Sequence, residues 1–370
     1  MEFLSLLWTY VLPFLVILTV VVFVHEFGHF WVARRCGVKV EVFSVGFGRE
    51  LFGRTDRNGT RWRISAIPLG GYVKFFGDAD AASATSSGEE MSEEDRRQAF
   101  PHKSVAQRAA IVFAGPASNF VFAILVFAGV FMTVGQYQTP AVLGGVQPGS
   151  AAEQAGLRQG DLIISMAGKA ISRFEDIQSL VPIYGTGPME VVFLRDGVER
   201  TVTAVPQIHE IENIFGKVQK TPLLGVQVDR TAGEIVKYGP VAALGEAVGH
   251  TWHVVTGTIA AVGQMITGAR GTEDLGGPLG IAQASGQMAQ LGFVSVVMFT
   301  ALLSVNLGLI NLFPIPLLDG GHLLFYGVEA LRGKPLGERA QEVGLRLGLV
   351  FVIGLMIFAT FNDIVRFVQG

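Results

Sequence analysis

Cysteine is almost absent: Cys36 is the single one in 370 residues, so no intramolecular disulfide staples the fold and any aqueous part must stand on packing alone. Charge is sparse too. Asp, Glu, Lys and Arg make up 16% of the chain against 50% apolar residues, too few for an ordinary soluble enzyme and too many for a chain lying wholly in a membrane. The two signs nearly cancel, with 28 basic and 31 acidic side chains, so the basic footprint of a nucleic-acid binder is missing and no nucleic-acid partner is expected. The sharpest absence is local, because residues 4–24 hold no charged side chain. About 20 apolar residues in a helix cross a bilayer. Glu2 stands before this run where a secretory signal carries Lys or Arg, and no small-residue cleavage site follows, so the helix is expected to stay in the mature protein.

What the run leads into is Val24-His25-Glu26-Phe27-Gly28-His29, a His-Glu-x-x-His pattern. Residues four apart share a helix face, so His25 and His29 can grip one metal ion while Glu26 points at its open position. Zinc bound by two imidazoles and a carboxylate lowers the pKa of a water it holds to roughly 7, and Glu26 is the expected base that takes the proton and later delivers it to a leaving amine. Ionisable residues at membrane depth are costly and usually functional. The competing readings are a chance match and a merely polar helix end. A third ligand must come from elsewhere. The apolar segment 291–313 runs into Asn311-Leu312-Phe313-Pro314-Ile315-Pro316-Leu317-Leu318-Asp319-Gly320-Gly321-His322. Its prolines and glycines break a helix at membrane depth, where only a protein-lined or wet cavity tolerates the break. Asp319 is the expected third ligand, and His322 is its rival.

In chain order the sequence divides as follows. Residues 1–33 form a first membrane helix. A basic loop, 34–104, contains Arg34, Arg35, Lys39, Arg49, Arg54, Arg57, Arg61, Arg63 and Lys74, which the positive-inside rule puts in the cytoplasm. Within it 40–76 alternates in β fashion around the turn signal Asn58-Gly59, and Gly70-Gly71 would let backbone approach backbone; an edge strand there could hold an extended peptide. The acidic, small-residue segment 78–95 is expected to be flexible. A second membrane helix, 105–135, opens with Gly115-Pro116-Ala117-Ser118-Asn119, small residues for close helix contact with Asn119 as interhelical glue. Residues 136–230 are an aqueous module with an extension, and 231–290 contain an amphipathic helix that lies at the interface in preference to spanning it. The third membrane helix with its break occupies 291–320, a second basic loop 321–342, and a fourth membrane helix 343–370. The expected fold is thus a polytopic α-helical membrane protein of about four transmembrane helices, with a membrane-associated β-hairpin region and an inserted α+β domain.

That inserted module, with Val146-Gln147-Pro148-Gly149-Ser150, Gly160-Asp161-Leu162-Ile163 and Ala167-Gly168, resembles the PDZ family, which implies an extended peptide or chain end as its ligand. Taken together, His25-Glu26-x-x-His29, Gly115-Pro116-x-x-Asn119, this module and Asn311-x-x-Pro314-x-Pro316-x-Leu318-Asp319-Gly320 resemble the site-2 protease family of intramembrane zinc metalloproteases, in its bacterial regulator-of-sigma-E branch. The resemblance implies one zinc ion per chain held by His25, His29 and Asp319, Glu26 as base, Asn311 positioning substrate, and Gly70-Gly71 in a re-entrant β-loop that presents it. It further implies an inner-membrane protein whose termini and PDZ-like domain are periplasmic, with its active site toward the cytoplasm. The substrate would be a single-span membrane protein, for example an anti-sigma factor already shortened by another protease. One PDZ unit is visible where some relatives carry two. A metal transporter or a scaffold with a PDZ docking unit is the alternative, although internal repeats and polar residues spread over several helices are missing.

Overall fold

The computed structural model describes residues 7–78, 92–212, 218–229, 232–267, 271 and 276–369. The chain forms two compact units, the first built from residues up to Gly129 with Leu244–Ile259 and Gly271–Phe367, the second from Val130–Ala243 with Ala260–Arg270. Among the described residues four helical stretches are long and apolar enough to cross a membrane: Leu7–Arg35, Val105–Thr133, Phe293–Asn311 and Arg339–Val365.

In the first unit a π-helical turn, Leu7–Val11, leads into α1 (Leu12–Arg35). One face of α1 buries Val21, Val22, His25, Gly28, His29 and Ala33, while Phe23, Phe27 and Trp31, each four residues on, form an outward stripe suited to lipid. Two long strands follow, β1 (Val40–Thr55) and β2 (Arg61–Phe75), joined by a turn in which Asp56 Oδ1 accepts the N–H groups of Asn58 and Thr60 at 2.8 and 3.0 Å. The alternating pattern leads one to expect a plain hairpin. Instead both strands bend, so that residues near the start of β1 pair twice: Phe43 lies opposite both Val73 and Trp62, and Val45 opposite both Gly71 and Ile64. The result is four arms in the order 50–55, 61–65, 40–45 and 71–75. The bends fall at glycines: Gly46 has φ +88° and Gly70 φ +120°, regions that side-chain-bearing residues rarely enter. Val40 and Phe43 of the arm 40–45 and Val73 and Phe75 of the arm 71–75 join Phe30, Phe100 and Ile111 in one buried cluster, which fixes the sheet against the helices. At the other end of the sheet Leu51, Phe52, Ile64 and Leu69 are exposed, an apolar surface that suits a bilayer.

Most of the acidic segment 78–95 lies outside the described residues. Its end is helical where the composition suggests coil, because Ser92 Oγ accepts the Asp95 N–H at 3.2 Å and caps α2 (Glu93–Gln98). α3 (Val105–Thr133) then runs through Pro116 without ending.

The second unit continues with β3 (Gln136–Gln138), β4 (Leu143–Val146), α4 (Ala151–Gln154), β5 (Leu162–Met166), β6 (Lys169–Ala170) and α5 (Phe174–Tyr184). β7 (Met189–Arg195), β8 (Val198–Ala204), β9 (Gln207–Glu212), β10 (Val218–Leu223), β11 (Val226–Val228) and β12 (Glu234–Val236) complete it. Its main sheet has the antiparallel order β6-β5-β7-β8, and β11 pairs with β4. Alternate residues of β5 and β7 (Ile163, Val191, Phe193) meet Phe174, Ile177 and Val181 of α5 in a core sealed by Leu143 and Leu224. Buried Asp161 takes a bidentate pair from Arg195 at 2.7 and 2.8 Å, and that charge holds the guanidinium above its ordinary pKa.

α6 (Pro240–Ile266) is long but is not among the candidate spans. α7 (Pro278–Gln290), α8 (Phe293–Asn311), α9 (Asp319–Arg332) and α10 (Glu338–Gln369) close the first unit. Asp363 of α10 accepts the N–H groups of Gly277 and Gly280, each at 3.0 Å, capping the start of α7. Arg108 of α3 pairs with Glu329 of α9 at 2.6 Å and lies 4.8 Å over the Tyr326 ring. That tie holds α9, and the residue at its head, against α3.

Candidate metal centre

α1 and α3 meet through matching faces. On α1 His25, Gly28 and His29 stand at i, i+3 and i+4; on α3 Gly115, Ser118 and Asn119 repeat the spacing. A Cβ at Gly28 would collide with the Ala114 carbonyl and lie 2.5 Å from Ser118 Oγ, and one at Gly115 would occupy the place of the His29 ring. Only glycine at both positions lets the helices approach this far. Ser118 Oγ donates to the Val24 carbonyl at 2.7 Å and fastens the contact. His29 Nδ1 donates to the Ile111 carbonyl at 2.9 Å, and the Asn119 amide lies 3.2 Å from His25 Nδ1.

Asp319 arrives from the broken segment. α8 ends at Asn311, Leu317 is forced to φ +95°, and Asp319 opens α9, where the helix dipole favours a carboxylate. Gly320 and Gly321 allow the fold-back, since a Cβ on either would strike the main chain of residues 312–316.

The three side chains converge. Asp319 Oδ2 lies 3.1 Å from His25 Nε2 and 3.5 Å from His29 Nε2, and the two nitrogens are 3.2 Å apart. Donors set tetrahedrally about 2.0–2.1 Å from one zinc ion are roughly 3.3 Å from each other, so the spacing fits. His29 commits its Nδ1 proton to Ile111, so whenever the ring is neutral its Nε2 presents a lone pair to the cluster, as a metal ligand must. Oδ2 is buried and has no hydrogen-bonded partner among the described residues. Lone pairs aimed at one another in a buried place call for a cation between them. The donor set fits zinc.

Around the cluster is a cavity of about 220 Å³ lined by Glu26, Gly71, Tyr72, Val73, Val112, Asn311, Leu317 and His322 as well as the three donors. A Cβ at Gly71 would lie 3.3 Å from Glu26 Cγ, so the arm 71–75 packs directly alongside Glu26. Of the residues singled out in the sequence, His25, Glu26, His29, Asp319, Asn311 and Gly71 come together here. Gly70 sits one step out, turned against Phe47. His322 lines the wall, its ring edge-on to Phe325, and the donor atoms within 4.8 Å of one another are those of His25, His29 and Asp319. Gly115 and Asn119 were legible only as helix-contact residues; their shared i, i+4 spacing with the histidines is the signal that ties them to the site.

A metal-ready His-Glu-x-x-His helix completed by an aspartate from a distant broken segment, in a chain of four membrane-length helices, defines a membrane-embedded class of zinc metalloendopeptidase. The chain belongs to peptidase family M50, the site-2 proteases, whose pattern matches residues 13–355. A protein of Agrobacterium fabrum named "Putative zinc metalloprotease" is 46% identical over 359 residues, covering 96% of this chain and 95% of that one. A Rhizobium meliloti protein named likewise is 45% identical, covering 96% of both. Protease RseP of Yersinia pestis is 34% identical over 461 aligned positions, covering 98% of this chain and 99% of its own. That alignment is longer than this 370-residue chain, so the Yersinia protein carries segments with no counterpart here. The PDZ domain of an SdrC-like protein from Listeria monocytogenes aligns with 26% of the chain and 93% of its own length, at 15% identity and a TM-score of 0.21. Membership in the family makes the chain an enzyme and sets aside the transporter and scaffold readings.

Proposed function

We propose that this protease cuts single-span membrane proteins at a peptide bond within or near the transmembrane segment. The observation that carries the reading is the company the three donors keep: the same cavity holds Glu26 and one edge of the arm 71–75, beside which no further strand stands among the described residues. A substrate helix presents no reachable peptide bond, because its carbonyls are engaged and enclosed by side chains. Once unwound, it can add to the 71–75 edge by main-chain pairing, which holds it extended and in register with Glu26.

His25, His29 and Asp319 would hold a zinc ion, which would supply polarisation of the scissile carbonyl and a lowered pKa for an attacking water. Glu26 is the base placed to take a proton from the attacking water and to pass it to the leaving nitrogen. Asn311 offers an amide at the cavity wall to hold substrate main chain, and Gly71 keeps the presenting edge close to Glu26. The basic loops are cytoplasmic in this reading, and both termini and the PDZ-like module are periplasmic, where the module inspects or excludes an extended chain end. An anti-sigma factor shortened outside by a first protease is the substrate that the family resemblance favours.

The test is cleavage of a single-span substrate in liposomes by wild type, Glu26→Gln and Asp319→Ala, with zinc counted in each. Wild type should cut; Glu26→Gln should keep its zinc and lose at least about 10²-fold in rate, the low end of what a general base contributes. Asp319→Ala should lose the metal. A Glu26→Gln enzyme that cuts like wild type removes Glu26 from the mechanism.

A further inference from the structure

The buried surroundings of His25 point to a residue that prepares it for the metal. His25 faces the cluster with Nε2, so as a ligand it must carry its remaining proton on Nδ1 and donate it. The group placed to receive that proton is the side-chain amide of Asn119, 3.2 Å away and wholly buried. With Nδ2 as the nearer atom, Oδ1 has no hydrogen-bonded partner among the described residues. Half a turn of the amide exchanges the two atoms at almost no change in shape and brings Oδ1 onto the His25 Nδ1–H. In the orientation that puts Nδ2 toward His25 the other end of the amide is a buried, unpaired oxygen, so no hydrogen bond there opposes the exchange.

We propose that Asn119 is a positioning residue for the zinc: its carbonyl oxygen accepts the Nδ1 proton of His25 and thereby fixes the ring's tautomer, orientation and basicity. The proposal rests on His25 being a ligand. It completes a symmetric arrangement, since the Ile111 carbonyl, two turns earlier on α3, does the same for His29 at 2.9 Å. One helix thus supplies the acceptors for both imidazoles, one from main chain and one from a side chain. The Asn119 main chain is separately anchored, its carbonyl accepting from Ser304 Oγ at 3.1 Å, and Gly308 comes so close that a Cβ there would lie 3.2 Å from the Asn119 Cβ. The side-chain amide is therefore held in place and can be exchanged without cutting the backbone contact.

The experiment measures zinc affinity of the purified full chain in detergent by chelator competition, for wild type, Asn119→Leu, Asn119→Asp and His25→Ala, with the melting temperature of each after chelation. Asn119→Leu, similar in shape but without an acceptor, should bind zinc about 10- to 100-fold more weakly, the usual cost of losing such a partner. Asn119→Asp, which offers only acceptors, should bind at least as tightly as wild type. Should Asn119→Leu fail to fold, Asn119→Ala carries the same expectation. Unchanged affinity without the acceptor, or equal weakening in the aspartate and leucine variants, overturns the proposal and leaves Asn119 as packing. Retention of zinc by His25→Ala overturns the ligand assignment instead, whatever the Asn119 variants do.

Discussion

At the scale of single residues the site depends on atoms that are missing. Gly115 has no catalytic group, yet a methyl there would take the position of the His29 imidazole, which is already tied to Ile111 on the same helix. Gly115→Ala should therefore lower zinc affinity about 10- to 100-fold by displacing a ligand. Gly129→Ala on the same helix meets nothing within 4 Å and should leave zinc untouched, so metal counts on the two variants separate a local clash from a general effect on α3. Equal zinc in both variants would sink the argument. The residues that converge in the cluster were readable beforehand as proposed ligands, because that chemistry needs particular residue types at helical spacing: His25, Glu26 and His29 announce each other, and the proline break before Asp319 has no cheap explanation in lipid. Gly115 and Asn119 were not readable as site residues. Small and amide residues serve helix packing equally well, and only the facing helix reveals which side of α3 looks at the histidines.

Among the elements, the sheet matters most, because it brings an open strand edge to the glutamate. A Cβ at Gly71 would sit 2.7 Å from the Ser44 carbonyl, 3.1 Å from Val22 Cγ1 and 3.3 Å from Glu26 Cγ. A larger side chain at Gly71 must push the arm off α1 or push Glu26 out of line. Gly71→Val should keep its zinc and lose about 10²-fold in kcat/KM, since displacing the reacting groups by about an ångström costs that much. Cleavage at the wild-type rate would show that the arm does not set the geometry. The alternation of 40–76 and its Asn-Gly turn made strands legible here, and the turn is found where they place it. The double pairing was not. A strand's own pattern says which face is buried, whereas a bend at Gly46 and Gly70 that brings β1 between two arms of β2 is decided by contacts outside the strands, with Phe30 of α1 and with Phe100 and Ile111 further along the chain. The ties from Asp363 to α7 and from Glu329 to Arg108 escaped for the same reason, since each joins residues more than 80 positions apart.

For the whole molecule, four membrane-length helices were evident from apolar run length alone, and so was the intervening module from its turn-rich, mixed composition. Which side each loop faces is a separate question, and the proposed answer rests on charge. α1 ends in Arg34 and Arg35; Arg35 lies 4.4 Å over the Trp31 ring, and Arg34 lies 5.3 Å over Phe30 while pairing with Asp56 at 3.0 Å. Basic side chains stacked on aromatic rings at a helix end mark a membrane interface, and an excess of them marks its cytoplasmic side. His29 precedes Arg34 by five residues, about 8 Å along a helix, so in the proposed orientation the metal donors lie shallow on that same side. In that orientation α3 then returns outward before the second unit begins. Alkaline phosphatase, which is active only outside the cytoplasm, should be active when fused at Gly197 in the turn between β7 and β8, and silent when fused at Arg57 or Gly333. Because Arg57 and Gly333 lie on opposite sides of the whole second unit in the chain, matching silence at both and activity between them fixes an even number of crossings from one to the other. Activity at Arg57 would invert the orientation, move the cluster to the outer face, and require the released fragment to leave on that side.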